Sequence, residues 1–183
     1  MHIQELVVLL DQFGTPIGSH EKRAVHTAHT PLHLAFSCYL FNDRGELLVT
    51  RRALTKQTWP GVWTNSFCGH PGPEETFEAA IERRAAAELG TTIGQIRCEL
   101  PGFSYRAVDA SGIVENEICP VYTATVTSSL DPSSSEVSEW EWIHPELLDR
   151  AVTSTPFAFS PWMREQLIKL QPTGWLTRGS NND

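Results

Sequence analysis

The sequence holds no CxxC pair. Its four cysteines, Cys38, Cys68, Cys98 and Cys119, are scattered through strand-like or loop sequence. Neither a disulfide framework nor a four-thiolate zinc site is indicated, and the thiols are expected to be reduced. Long apolar runs are absent too. The amino-terminal MHIQELVVLLDQFG has no basic leader and only a five-residue apolar run after Glu5, too short for a signal peptide or a membrane span. A soluble, cytoplasmic protein with no membrane partner is the expectation. Positive charge is scarce: 14 Lys and Arg stand against 22 Asp and Glu, a net charge of −8. That balance opposes general attraction to nucleic acid or anionic membranes, but leaves room for an anionic small molecule where bases cluster. No internal repeat is visible.

What is present fits one domain. The 183 residues are 40% apolar and 20% charged, with 12 Gly and 12 Pro, an ordinary globular composition. A chain of this length buries roughly 70% of its unfolded surface, so a core forms without a structural metal, and any metal needs a functional reason. Residues 1–170 read as a single domain and 171–183 as a polar tail that frays; Ser128 to Ser135 reads as a loop. Strands are expected over Glu5 to Leu10, over Leu32 to Phe41 and Glu46 to Thr50 as a hairpin through Asn42 to Gly45, and over Arg97 to Arg106, Val114 to Val126 and Val137 to Ile143. A helix is expected over Pro73 to Leu89, with Glu74 and Glu75 in its first turn and Gly90 just past its end. A terminal helix covers Pro161 to Leu170. The pattern suggests a mixed sheet covered by helices.

Three features carry chemistry. At about 100° per residue, Arg84 and Glu88 fall within roughly 20° to 40° of the apolar stripe set by Phe77 and Ile81, while Glu75, Glu78 and Glu82 lie on the opposite face. Inward charges are costly unless paired or bound to something; the plain alternative is an i,i+4 ion pair worth a few tenths of a kcal/mol. Next, potential metal ligands lie in three segments: His26 and His33, Cys68 and His70, Glu115 and Glu117. Residues two apart in a strand face the same side, and imidazoles with carboxylates suit Mn²⁺ or Zn²⁺. Finally, Lys22, Arg51, Arg52 and Lys56 flank those segments and, with Arg84, can form an anion pocket for phosphate. Trp59 and Trp63 lie beside a Pro-Gly turn and Trp162 follows Pro161 at the start of the terminal helix; such rings are usually core, but an aromatic face can also hold a cation.

The segments HTAHTPLHLAFSCYLF, TRRALTKQTWPGVWTNSFCGHP, IERRAAAELG, FSYRA and GIVENEICPVY closely resemble the type 1 isopentenyl-diphosphate delta-isomerase family, in order from about Leu6 to Trp162. The resemblance implies the Nudix fold, an α/β (α+β) architecture in which an α/β/α sandwich surrounds a mixed β-sheet. Against the parent Nudix signature, Gly69, Glu75, Arg83, Glu88 and Gly90 match, whereas Arg84 and Ala87 stand where that signature has Glu. A Nudix hydrolase uses such carboxylates to gather Mg²⁺ and activate water, so their loss favours diphosphate binding over cleavage.

By that resemblance, Cys68 and Glu117 are the catalytic pair on either side of the substrate, with Tyr105 assisting Glu117. His26, His33, His70, Glu115 and Glu117 match ligands of a Mn²⁺ or Zn²⁺ site, and Glu88 a carboxylate for Mg²⁺ bridging to the diphosphate. Lys22, Arg52, Lys56 and Arg84 match diphosphate contacts, and Trp162 the ring facing the cation. The implied activity moves the double bond of isopentenyl diphosphate to give dimethylallyl diphosphate, through a carbocation-like state in a pocket that excludes water, with no organic cofactor. The partners are small allylic and homoallylic diphosphates, in a monomer or homodimer feeding isoprenoid biosynthesis. A Nudix-type hydrolase and a catalytically silent metal or diphosphate-binding module are the alternatives.

Overall fold

The computed structural model describes residues 5–174. β1 (Leu6–Leu10) and β2 (Pro16–Glu21) form a hairpin whose turn is held by Asp11 Oδ1, which accepts from the backbone N–H of Phe13 and Thr15. A short helix, α1 (Lys22–Val25), leads to β3 (His33–Leu34) and β4 (Phe36–Phe41). Then follow β5 (Leu47–Arg52), β6 (Trp63–Thr64), β7 (Phe67–Gly69) and the helix α2 (Phe77–Leu89). The second half supplies β8 (Ile93–Leu100), β9 (Ser104–Val108), β10 (Val114–Ile118), β11 (Val121–Val126) and β12 (Val137–Ile143). It ends with α3 (Pro145–Ser154) and α4 (Pro161–Leu170). The expected tail starts with a 3₁₀ turn over Gln171–Thr173; its remainder, 175–183, lies outside the described residues. No helix among the described residues is long and apolar enough to cross a membrane.

The expected mixed sheet resolves into two. One runs β2-β1-β3-β10-β9; the other runs β12-β5-β4-β11-β8, with β6 and β7 paired to β5 and β4. Each holds one parallel pair, β3 with β10 and β4 with β11. The sequence reads Leu32 to Phe41 and Val114 to Val126 as single strands, but both break and change sheets side by side. Pro120 has no N–H to donate to a ladder. The chains stay bonded through the break, Ala35 N–H donating to Ile118 O at 2.9 Å and Ser37 N–H to Pro120 O at 3.1 Å. Similarly, Arg97 to Arg106 divides into β8 and β9. This double seam is where the functional side chains collect.

Both faces of the larger sheet are covered, which is why every residue of β4 from Phe36 to Leu40 is buried. Phe36, Cys38 and Leu40 pack with Ile81, Ala85 and Leu89 of α2; Tyr39, Leu47 and Val121 pack with Leu148 of α3 and with Met163 and Leu167 of α4. Each fully buried Leu or Ile contributes about 1.5–3 kcal/mol. The resulting helix, sheet, helix layering is the α/β/α sandwich that the resemblance implies.

Helix α2 starts four residues later than the sequence suggests. Thr76 caps it, its Oγ1 accepting from Ala79 N–H at 3.2 Å. Before that cap, Glu74 has φ +63°, and Glu75 folds back to accept from Gly72 N–H at 2.8 Å. Pro73 to Glu75 therefore form a turn. At the other end Gly90 takes φ +60°, and a Cβ there would sit 2.5 Å from Asp131 O; only glycine fits.

Candidate active site

Strand pairing sets the first row of the site. On β10, Glu117 is the register partner of His33 on parallel β3 and of Tyr105 on antiparallel β9. Glu115, two residues away, faces the same side. The loop before β3 brings His26, and the residue after β7 is His70. The rings of His26, His33 and His70 stand with centroids 5.1 to 5.7 Å apart. One ligand atom from each, together with one from Glu117, falls within 4.8 Å of the others. Glu115 Oε2 lies 3.0 Å from His26 Nε2, Glu117 Oε1 3.3 Å from His33 Nε2 and 3.0 Å from His70 Nε2.

This cluster fits a divalent ion on its own chemistry. His26 Nε2, His33 Nε2, His70 Nδ1 and Glu115 Oε2 are buried without hydrogen-bond partners, a costly arrangement for groups that are ordinarily satisfied. Outer contacts orient the ligands: His33 Nδ1 donates to Pro31 O at 2.9 Å, which leaves the Nε2 lone pair aimed at the cluster, and Thr58 Oγ1 donates to Glu115 Oε1 at 2.8 Å. Burial alone would raise the Glu117 carboxyl, but the neighbouring His33 and His70 imidazoles overturn this and hold it well below the usual carboxylate range. Burial pushes His70 down to about 4 despite Glu117. His33 is lifted above its ordinary value, its burial being outweighed by Glu117. An anionic Glu117 beside a neutral His70 is the state metal binding requires.

A cavity of about 730 Å³ opens beside the cluster, lined by Cys68, Tyr105, His26, His70, Glu115 and Glu117, and by Trp162. Cys68 projects from β7, where it pairs with Ser37 of β4. Burial pushes its thiol up to about 11, against the opposing hydrogen bonds of Ser37 and Asn65. Burial, then the Glu117 charge, likewise raises the Tyr105 phenol well above its ordinary value, so it stays a proton donor at neutral pH. Trp162, at the start of α4, contacts Tyr105 at 5.7 Å and meets the edge of Trp59 at 5.4 Å, with the Arg52 guanidinium 5.5 Å from its ring centre.

The cationic wall of the same cavity carries Lys22, Arg52, Lys56 and Arg84. Arg84 and Glu88 are both buried on the inward face of α2, Arg84 Nε donating to Glu88 Oε1 at 2.9 Å. The ion pair and the inward-facing site, alternatives in the sequence, thus coexist. Ala87 lies on the exposed face, so of the two departures from the signature only Arg84 lines the cavity. Glu75 faces away, bound to Arg83 through two contacts of 2.8 and 2.7 Å. Arg51 does not join the pocket: alternation along β5 turns it outward to Glu139, 2.8 Å away. Arg52 Nε and Nη2 donate to the carbonyl of Thr58 at 3.1 and 2.8 Å, which shapes the loop as well as the wall.

Sequence reasoning missed two acids here. Glu5 meets Lys22 at 2.7 Å and Arg84 at 3.3 Å, and Glu136 bonds Lys56 and lies 3.5 Å from Arg84. Neither sits in a motif; the position just before β1 and the loop before β12 deliver them through tertiary pairing. Asn65, Thr58 and Ser37 escaped for the same reason.

Known proteins resemble this chain over most of its length. Residues 31–166 match the NUDIX domain model. An isopentenyl-diphosphate Delta-isomerase of Paenarthrobacter aurescens is 61% identical over 170 residues, covering 93% of this chain and 92% of that protein. One of Leifsonia xyli is 57% identical over 181 residues, 94% of this chain and 98% of that protein. In fold, a crystal structure of a Deinococcus radiodurans protein superposes with a TM-score of 0.69 at 20% identity, covering 91% of this chain and 99% of that one. With the domain, the length and the sequence all in agreement, this chain belongs to the isopentenyl-diphosphate Delta-isomerase family of NUDIX domain proteins.

Proposed function

We propose that the protein interconverts isopentenyl diphosphate and dimethylallyl diphosphate in the cytoplasm, with residues 1–170 acting as one catalytic unit and 171–183 as an appended tail. The observation that carries this reading is one cavity lined both by the Cys68 thiol, the Glu117 carboxylate and the Tyr105 phenol and by the cationic groups of Lys22, Lys56 and Arg84. An alkenyl diphosphate calls for both, with five carbons at one end and a polyanion at the other.

The chain's own groups divide the work. Lys22, Lys56, Arg84 and Arg52 bind the diphosphate oxygens and so orient the alkene. Glu117, hydrogen-bonded among histidines, and the protonated Tyr105 deliver a proton to the terminal methylene; Cys68 removes one from the carbon nearer the diphosphate. In the reverse direction the roles exchange. The Trp162 face stabilises the tertiary cation, and the aromatic wall keeps out the water that would capture it.

His26, His33, His70, Glu115 and Glu117 would hold Mn²⁺ or Zn²⁺, and Glu88 would hold Mg²⁺ beside the diphosphate. When bound, these ions supply positive charge and shift the acidity of nearby groups. The cavity needs such charge: five basic side chains share its wall with six acidic ones, so a diphosphate without accompanying cations would enter a site with no excess of positive charge.

The test is to incubate metal-replete protein with isopentenyl diphosphate and Mg²⁺ in deuterated water. Dimethylallyl diphosphate carrying deuterium is the expected product. Release of phosphate would identify a hydrolase instead, and an unlabelled, unchanged substrate pool would identify a binding module.

A further inference from the structure

The Cys68 sulfur is gripped from two sides by groups that belong neither to the metal cluster nor to the cationic wall. Asn65, fully buried just after β6, donates through Nδ2 to the carbonyl oxygens of Cys38 at 3.1 Å and Phe67 at 2.8 Å, and the same nitrogen lies 3.3 Å from the Cys68 sulfur. Those carbonyls fix which end of the amide is nitrogen. Its Oδ1 then accepts from Trp162 Nε1 at 3.0 Å, a group that can only donate, and from the Cys68 thiol at 3.4 Å. One carboxamide therefore ties the sulfur to the indole.

Ser37 holds the sulfur from the β4 side at 3.3 Å. Its orientation is set from farther away. The Tyr39 hydroxyl donates to Gln166 Oε1 at 2.8 Å, which obliges Gln166 Nε2 to donate to Ser37 Oγ, also at 2.8 Å. With that lone pair engaged, the Ser37 hydroxyl is turned toward the sulfurs of Cys68 and Cys119, the latter 3.4 Å away. Ser37, Asn65 and Gln166 have no exposed surface. A thiol acting as packing alone requires no such set of polar neighbours, and buried polar networks persist only when every member is satisfied.

We propose, on the reading that this site isomerises an alkenyl diphosphate, that Asn65 and Ser37 are positioning residues that fix the Cys68 sulfur relative to the Trp162 ring. The atom that moves the proton and the face that meets the cation are then held in one geometry, while α4, through Gln166, locks the serine.

The experiment compares wild type with Asn65→Ala, Asn65→Asp and Ser37→Ala in the isomerisation assay, with thermal midpoints and the indole N–H region of an NMR spectrum recorded on the same samples. The Trp162 resonance is identified by its loss in Trp162→Phe. Asn65→Ala should lower kcat by about 100-fold, the scale of a misplaced reacting group, with KM little changed because the cationic wall is intact. Its Trp162 resonance should move. Asn65→Asp keeps an acceptor for the indole but loses the donor, so it should retain the resonance and still lose kcat. Ser37→Ala should lower kcat without moving the indole, and it carries the test if Asn65→Ala does not fold. Folded variants with wild-type kcat, or with KM and kcat shifting together around an unmoved Trp162 resonance, overturn the proposal. A wild type that makes no dimethylallyl diphosphate defeats the isomerase reading itself, and the positioning role with it; the wild-type control separates that failure from the other.

Discussion

Glu117 stands directly across the parallel β3–β10 ladder from His33, so strand register alone places a carboxylate oxygen 3.3 Å from an imidazole nitrogen. Tyr105 continues the same row on β9. Because side chains alternate along a strand, a slip of one residue in β10 would turn Glu115 and Glu117 away from the cavity together.

Removing metal should destabilise the protein. The residues of the His/Glu cluster carry four buried, unpartnered polar atoms, and an ion that binds only the folded state adds about 2.7 kcal/mol at one hundred times its dissociation constant. Chelation should lower the melting temperature by about 5 °C or more, on the usual scale for this chain length, and added Mn²⁺ or Zn²⁺ should restore it. An unchanged melting temperature in His33→Ala on metal addition is the matching control. A chelator with no effect on wild type would show that these atoms do not bind an ion.

Returning Arg84 to the glutamate of the Nudix signature should abolish diphosphate binding. Arg84 pairs with Glu5, Glu88 and Glu136 at once, and an acid in its place leaves four carboxylates facing one another. Breaking a buried ion pair typically costs about 3–5 kcal/mol, so the urea midpoint of Arg84→Glu should fall accordingly. Titration with inorganic diphosphate should show no saturable binding, and no phosphate should be released from a nucleoside diphosphate.

Apart from the residues that the family resemblance supplies, the parts of this site legible in the sequence are those with a local period. Glu115 and Glu117 two apart on a strand, and Arg84 and Glu88 four apart on a helix, each declare a shared face. What stayed hidden depends on tertiary delivery. Glu5 and Glu136 reach the cavity from segments remote in sequence, and Asn65 reads as an ordinary loop residue until Trp162 is folded onto it. β2 escaped because all of Pro16–Glu21 is exposed and shows no alternation. Helix α3 carries only a short signal between strand and terminal helix, a proline at its start with Leu148 and Val152 four apart. The start of α2 was misplaced because Pro73 and its two acids imitate a first turn, while the real cap is Thr76.

Gly90→Ala should destabilise without touching the chemistry. The left-handed backbone there, φ +60°, disfavours any side chain, and the new methyl would meet Asp131 O at 2.5 Å. A loss of about 1–3 kcal/mol is expected, read from the urea midpoint, with kcat of the folded fraction unaltered. A midpoint equal to wild type would mean that the α2 terminus relaxes freely.

Glu136→Gln should tighten the grip on diphosphate and lower stability near neutral pH, with the loss disappearing in acid. Burial would raise the Glu136 carboxyl, but Lys56 and Arg84 pull it below its ordinary value of 4.5. A carboxyl depressed in the folded state stabilises it above that ordinary value, and the contribution fades as pH falls through the folded-state value. The melting advantage of wild type over Glu136→Gln should therefore be full near neutrality and shrink steadily below pH 4.5. In the variant Lys56 no longer faces a carboxylate, so the inhibition constant for inorganic diphosphate should fall. A weaker inhibition constant would mean instead that Glu136 serves the anion by holding Lys56 in place, and a pH-independent stability difference would remove the ion pair from the account.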